Sequence, residues 1–105
     1  MTFPHPIAQL PAFDGPFDAH RLAAEGCEVL FASYPAGTVI DDHSHDTSNV
    51  GVITAGQLIL TVEGRETKHG PGHWYEVPRG VTHSARFEVE TVEIEFWFTE
   101  GSLAE

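Results

Sequence analysis

From Cys27 onward the chain reads as short runs rich in β-branched and aromatic residues. CEVLFASY, NVGVIT, QLILTVEG, RETKHG, HWYEVP, HSARFEV and TVEIEFWF are broken by Gly, Pro and charged turns. Seven such runs at regular spacing predict an all-β sandwich or barrel in which each strand buries one face. At 105 residues the chain fits one compact domain, and 41% hydrophobic against 20% charged residues argues against wholesale disorder.

Ahead of the strands, residues Thr2 to Pro16 carry Pro4, Pro6, Pro11 and Pro16. Each proline removes a backbone donor, so this stretch is expected to be an irregular lead-in. Phe17 to Glu25 is expected to form a helical turn or two, stopped by Gly26. The chain therefore divides into an N-terminal arm, 1–26, able to pack on a partner subunit, and a single barrel domain, 27–105.

Alternation is clearest in the last run, where Val92, Ile94, Phe96 and Phe98 share one face and Glu93 and Glu95 the other. The expectation is an apolar face turned inward and two glutamates turned to water. Leu58, Leu60 and Val62 form a similar face, and Val62-Glu63-Gly64-Arg65 predicts a hairpin turn into the polar run behind it.

Five Lys plus Arg against sixteen Asp plus Glu give a formal charge of -11, which repels phosphate backbones and anionic lipid. Nucleic acid and membrane partners are not expected. The lone Cys27 allows no intramolecular disulfide and fits a reducing compartment. The N-terminus has neither the basic region nor the apolar run of a signal peptide, and no run approaches the roughly 18 apolar residues that span a bilayer. A cytoplasmic location is expected.

Two segments carry chemistry. In the first, Gly37 is followed by His43, His45, Asn49 and Gly56; on extended chain the two histidines point to one side and suit capture of one ion. In the second, Gly72 leads through a strand into Pro78-Arg79-Gly80, a turn that delivers His83 to the start of the next strand. Neutral imidazole is a good ligand for Fe, Zn, Ni, Mn or Cu, so the pattern admits a divalent transition metal without naming it.

These segments resemble the two motifs of the cupin superfamily, G-x5-H-x-H-x3,4-E-x6-G and G-x5-P-x-G-x2-H-x3-N. Gly37, His43, His45 and Gly56 fill the first; Gly72, Pro78, Gly80 and His83 fill the second; fifteen residues separate Gly56 from Gly72. The resemblance implies a double-stranded β-helix, the cupin or jelly-roll barrel, with a metal on His43, His45 and His83, and a homodimer paired through outer strands around Trp97. Asn49 stands where the family usually has a glutamate ligand, and Phe87 replaces the final asparagine. A site without that carboxylate holds a more Lewis-acidic ion, as in the three-histidine thiol dioxygenases of the superfamily. Asn49 itself has three roles open to it: a weak carbonyl ligand, a hydrogen-bond partner of a metal-bound water, or a contact to substrate.

The run His73-Trp74-Tyr75-Glu76-Val77 offers two registers. Either Tyr75 and His73 face the interior with Val77, or Trp74 and Glu76 do. Tyr75 and Glu76 are thus the candidate acid or base. Asp41, Asp42 and Asp46 flank the ligand histidines as turn formers or outer-shell charges, while His5, His20 and His69 read as surface residues. The resulting function is a small-molecule metalloenzyme, foremost a dioxygenase using Fe(II). A metal-dependent isomerase or lyase, and a non-catalytic module binding a small ligand or metal, are the alternatives.

Overall fold

A computed structural model describes residues 3–15 and 17–99. Thr2 and Pro16 of the expected lead-in, and residues 100–105 of the barrel domain, lie outside them. One short helix, α1 (His5–Ala8), precedes nine strands: β1 (Asp18–Ala24), β2 (Cys27–Tyr34), β3 (Thr38–His43), β4 (Ser48–Ala55), β5 (Leu58–Val62), β6 (Arg65–His69), β7 (Trp74–Val77), β8 (His83–Phe87) and β9 (Thr91–Phe98). They form a five-stranded sheet, β1-β2-β9-β4-β7, and a four-stranded sheet, β3-β8-β5-β6. Every pairing is antiparallel. The expected jelly-roll barrel is what the chain forms.

Leu30, Tyr34, Ile53, Leu58, Leu60, Val77 and Phe87 make the buried centre between the sheets. The β5–β6 hairpin turns at Glu63 and Gly64, with φ of 50° and 85°; positive values at both positions match the twist of the flanking strands. No described helix is long and apolar enough to cross a membrane.

Two expectations for local structure are corrected. The segment expected to be helical is strand β1, which pairs along its whole length with β2, Ala19 opposite Ala32 and Leu22 opposite Val29. An open edge on β2 offers a ladder of backbone partners, and this outweighs the weak helical preference of DAHRLAA. His20 is not a surface residue: its Nδ1 lies 3.2 Å from the Leu10 carbonyl and its ring meets Phe3 edge-on. With the Phe13 N–H donating to Ala19 O and the Arg21 N–H to Pro11 O, it ties the lead-in to β1 of the same chain.

The larger correction concerns β9. Glu93 and Glu95 are 1% and 6% exposed and face the interior, with Trp97 beside them, whereas Ile94, Phe96 and Phe98 lie half-buried on the outside. Alternation fixes which residues share a face and leaves open which face is inside. The interior here offers tyrosine and indole donors to the glutamates, so the polar face turns inward.

Candidate metal centre

The two sheets enclose a cavity of about 360 Å³. Tyr34, Leu58, Leu60, Val77 and Phe87 give it a largely apolar wall, and Phe13 and Phe17 of the N-terminal segment cover one side. His43, His45 and His83 meet in this cavity.

Each histidine arrives by a different local device. In β3 the register shifts between Ile40 and His43, so that Asp41 and Asp42 together oppose Ser84. The bulge lets Ile40 and His43 both face the cavity although they are three residues apart. His43 then pairs with His83 across the strands, and their rings stand 4.2 Å apart. His45 sits just past β3 in a loop pinned by the Gly80 N–H, which donates to His45 O at 2.9 Å. The expected Pro78–Gly80 turn thus both presents His83 and holds the loop of His45.

The His45 ring lies 4.5 Å from His43 and 5.1 Å from His83, and one ligand atom of each of the three lies within 4.8 Å of the others. His43 Nδ1 contacts the Asp41 carbonyl at 2.7 Å, and His83 Nδ1 the Val81 carbonyl at 3.0 Å. A carbonyl can only accept, so Nδ1 carries the proton in each ring and Nε2 keeps its lone pair. Burial, then the neighbouring His43 and His83 rings, lowers the His45 pKa to about 4. Burial likewise lowers His83. Three gathered imidazoles, two of them oriented by carbonyls, fit a divalent transition metal.

Asn49 lines the same cavity, 7% exposed, and its Oδ1 accepts from Thr47 Oγ1 at 2.6 Å. That bond takes one of the two acceptor positions of the Asn49 carbonyl oxygen. The β7 register is the one that turns Tyr75 and Val77 inward. Glu76 is exposed and absent from the cavity wall, because Val50, its partner on β4, belongs to the outer face. Its candidacy as acid or base is withdrawn on that ground. Asp41, Asp42 and Asp46 are exposed, as turn formers are, and Trp97 points inward with its ring 4.5 Å from His45, not out towards a partner.

Sequence reasoning missed the opposite wall. Tyr75 donates a short hydrogen bond to Glu93, Tyr34 donates another to Glu95, and Trp97 Nε1 donates to Glu95 Oε1 at 3.1 Å. Burial, then the charge of Glu95, raises the Glu93 pKa well above the ordinary carboxyl value. Burial raises Glu95 too, against the hydrogen bonds from Tyr34 and Trp97 that favour its ionised form. Both phenols are pushed well up by burial and by the adjacent carboxylates. A signal was present in Gly51, a glycine inside a strand run: a Cβ there would lie 2.5 Å from the Tyr75 ring, so only glycine lets that phenol reach Glu93.

The cupin domain family matches residues 30–98, about two thirds of the chain, and the chain belongs to that family. No curated protein matches it in sequence. Among solved structures it is similar to an RmlC-like cupin from Shewanella frigidimarina, at 20% identity over 89% of this chain and 86% of that one, with a TM-score of 0.78. Salicylate 1,2-dioxygenase from Pseudoaminobacter salicylatoxidans matches at 23% identity over 84% of this chain and 28% of that one, with a TM-score of 0.74. The DMSP lyase DddQ from Ruegeria pomeroyi matches at 21% identity over 89% and 54%, with a TM-score of 0.73. Likeness at these identities is a likeness of fold.

Proposed function

We propose that this chain is a small-molecule metalloenzyme of dioxygenase type that holds one divalent transition-metal ion, Fe(II) foremost, on His43, His45 and His83. The observation that carries the reading is the convergence of three imidazoles in a mostly apolar cavity, two of them oriented by backbone carbonyls two residues back. When bound, the ion supplies Lewis acidity and open positions for a small chelating ligand. The chain's own residues do the rest. His43 and His83 present Nε2, Trp97 buttresses His45, and the aromatic and aliphatic wall excludes water around a ligand of modest size. Asn49, held by Thr47 Oγ1, acts as a cavity hydrogen-bonding group beside a ligand set of three histidines.

A second reading, a metal-dependent isomerase or lyase, is favoured by one observation: Tyr75, Tyr34 and two buried glutamates face the same cavity. The fold is compatible with either reading, since it is shared with proteins named as a dioxygenase and as a lyase. We also place the protein in the cytoplasm, on its lone Cys27, and pair it as a homodimer through the outer face of the larger sheet. There Ile94, Phe96, Val50, Val52 and the 61% exposed Trp74 form an apolar patch of the kind that associates. Sedimentation tests the dimer.

The deciding experiment is metal analysis of untagged protein beside a His43→Ala/His45→Ala variant. The wild type is expected to retain close to one ion per chain and the variant background levels; equal content in both overturns the site. Oxygen uptake on adding Fe(II) with small thiols or diketones then separates the two reaction types, and no uptake with any of them counts against the dioxygenase.

A further inference from the structure

The cavity wall opposite the histidines carries a charge that the triad does not explain. Glu95 accepts from Tyr34 and Trp97 at once, two donors that favour its ionised form over that of Glu93, which has one. Glu93 accepts from Tyr75 and lies almost wholly buried beside Glu95 on the same face of β9, and two neighbouring buried carboxyls do not both ionise. The pair thus shares one proton and holds one negative charge. Among the described residues no Lys or Arg lines the cavity. A buried charge without a cationic partner costs several kcal/mol, so a purely structural network would more simply have been built from amides or apolar groups.

We propose that Glu95, working through the Tyr34 phenol, is a catalytic base that takes a proton from a small carbonyl compound seated at the histidine triad and can return it. The proposal rests on the metal reading for where the carbonyl oxygen sits. Its own content is the proton path. Tyr34 and Glu95 both line the cavity, Tyr34 is stacked on Phe87 at 4.2 Å, and one indole, Trp97, spans from Glu95 to the His45 ring. The wall therefore reaches the ligand space from the side opposite His43 and His83.

The step balances without an added oxidant. The C–H bond next to the carbonyl breaks and its proton joins Tyr34 Oη, while the Tyr34 O–H proton moves to Glu95. The electron pair stays on the substrate as an enolate. Glu93 and Glu95 then hold two protons and no charge, and Tyr34 never becomes a phenolate, which its raised pKa would oppose. Return of the proton to another atom of the enolate gives an isomer. The substrate class is a small, mainly apolar aldehyde or ketone with an acidic neighbouring C–H.

The test uses acetylacetone as probe and zinc-loaded protein, with titration calorimetry at neutral pH in two buffers of different ionisation heat to count protons released per probe bound. Wild type is expected to bind the enolate form and release none, because the pair keeps the proton. Glu95→Gln and Tyr34→Phe, checked for fold by circular dichroism, are each expected to release one. If wild type and variants release the same number, or zinc-loaded wild type does not bind the probe, the proposal is overturned and the pair is structural.

Failure of the metal reading is distinguishable, because it appears as zinc binding that His43→Ala/His45→Ala does not reduce. An infrared arm on metal-free protein then decides alone. A carboxylic-acid carbonyl band present in wild type at neutral pH and lost in Glu93→Gln supports the shared proton, and its absence in wild type overturns it.

Discussion

The three histidines and the two glutamates face one cavity but are held in opposite ways. The histidines come from a bulge, a loop and a turn; His43 and His45 sit partly open to water while His83 is buried, and carbonyls two residues back orient His43 and His83. The glutamates come from β9, which runs between β2 and β4 within the larger sheet, are almost wholly buried, and accept from three aromatic donors. Groups gathered at strand ends can be altered with little cost to the fold, whereas groups embedded in a central strand cannot. The triad should therefore govern ligand binding without stability, and the pair should govern stability as well as chemistry.

The largest expected effect breaks or confirms that division directly. Glu95→Ala leaves the Tyr34 hydroxyl and the Trp97 N–H without a partner in the interior, and should destabilise by about 3–5 kcal/mol. His45→Ala should cost about 1 kcal/mol or less, yet abolish metal retention. Urea unfolding of the metal-free proteins reads the first quantity and metal analysis the second. Equal losses of stability in both variants would erase the distinction.

Acid titration separates the two regions by sign. His45 is neutral in the fold down to about pH 4, while in the unfolded chain it protonates near 6.5. Between those values the unfolded state binds more protons, so this contribution is complete above 6.5 and is lost as pH falls towards 4. His83, also lowered, adds in the same direction. Glu93 runs the other way: its raised pKa makes the folded state bind more protons, and its contribution, complete below about 4.5, is lost as pH rises. Between pH 4.5 and 6.5 the two slopes oppose. Glu93→Gln should therefore steepen the rise of stability with pH in that window and His45→Gln should flatten it, as read by chemical denaturation at several pH values.

How much of this was legible depends on what each feature needed. The barrel and the triad were written locally: seven β-rich runs, a His-x-His pair, and a Pro-x-Gly turn ahead of His83. Strand β1 was not, because its sequence has little preference of its own and its state is set by the edge of β2. The inward glutamates were not legible either. Val92, Ile94 and Phe96 alternate with them as a half-buried strand requires, but an apolar outer face and a polar cavity wall give the same period as the reverse arrangement. Only the partners decide, and Tyr34 and Tyr75 lie 61 and 18 residues away in sequence.

Gly51 offers a smaller and more local probe of the same wall. Ala at this position would place its Cβ within 2.5 Å of the Tyr75 ring and hydroxyl, and the ring is held by Glu93, so the phenol must leave that carboxyl. Overpacking of this kind costs about 1–3 kcal/mol. Thermal unfolding of Gly51→Ala should show a lower midpoint, while metal retention on the triad stays at the wild-type level. A midpoint unchanged from wild type would mean that Tyr75 has room to move and that its bond to Glu93 contributes little.

The smallest effects come from neighbours on one strand. Tyr75 and Glu76 were equal candidates by sequence, and the pleat of β7 sends one to the cavity and the other to water. Tyr75→Phe removes a buried donor to Glu93 and should cost about 1–2 kcal/mol. Glu76→Gln changes an exposed side chain and should stay within about 0.5 kcal/mol of wild type. Chemical denaturation of the pair measures the contrast. If Glu76→Gln were the costlier change, the register of β7 against Asn49 to Val52 of β4 would have to slip by one residue, which would carry Tyr75 out of the cavity and Trp74 into it.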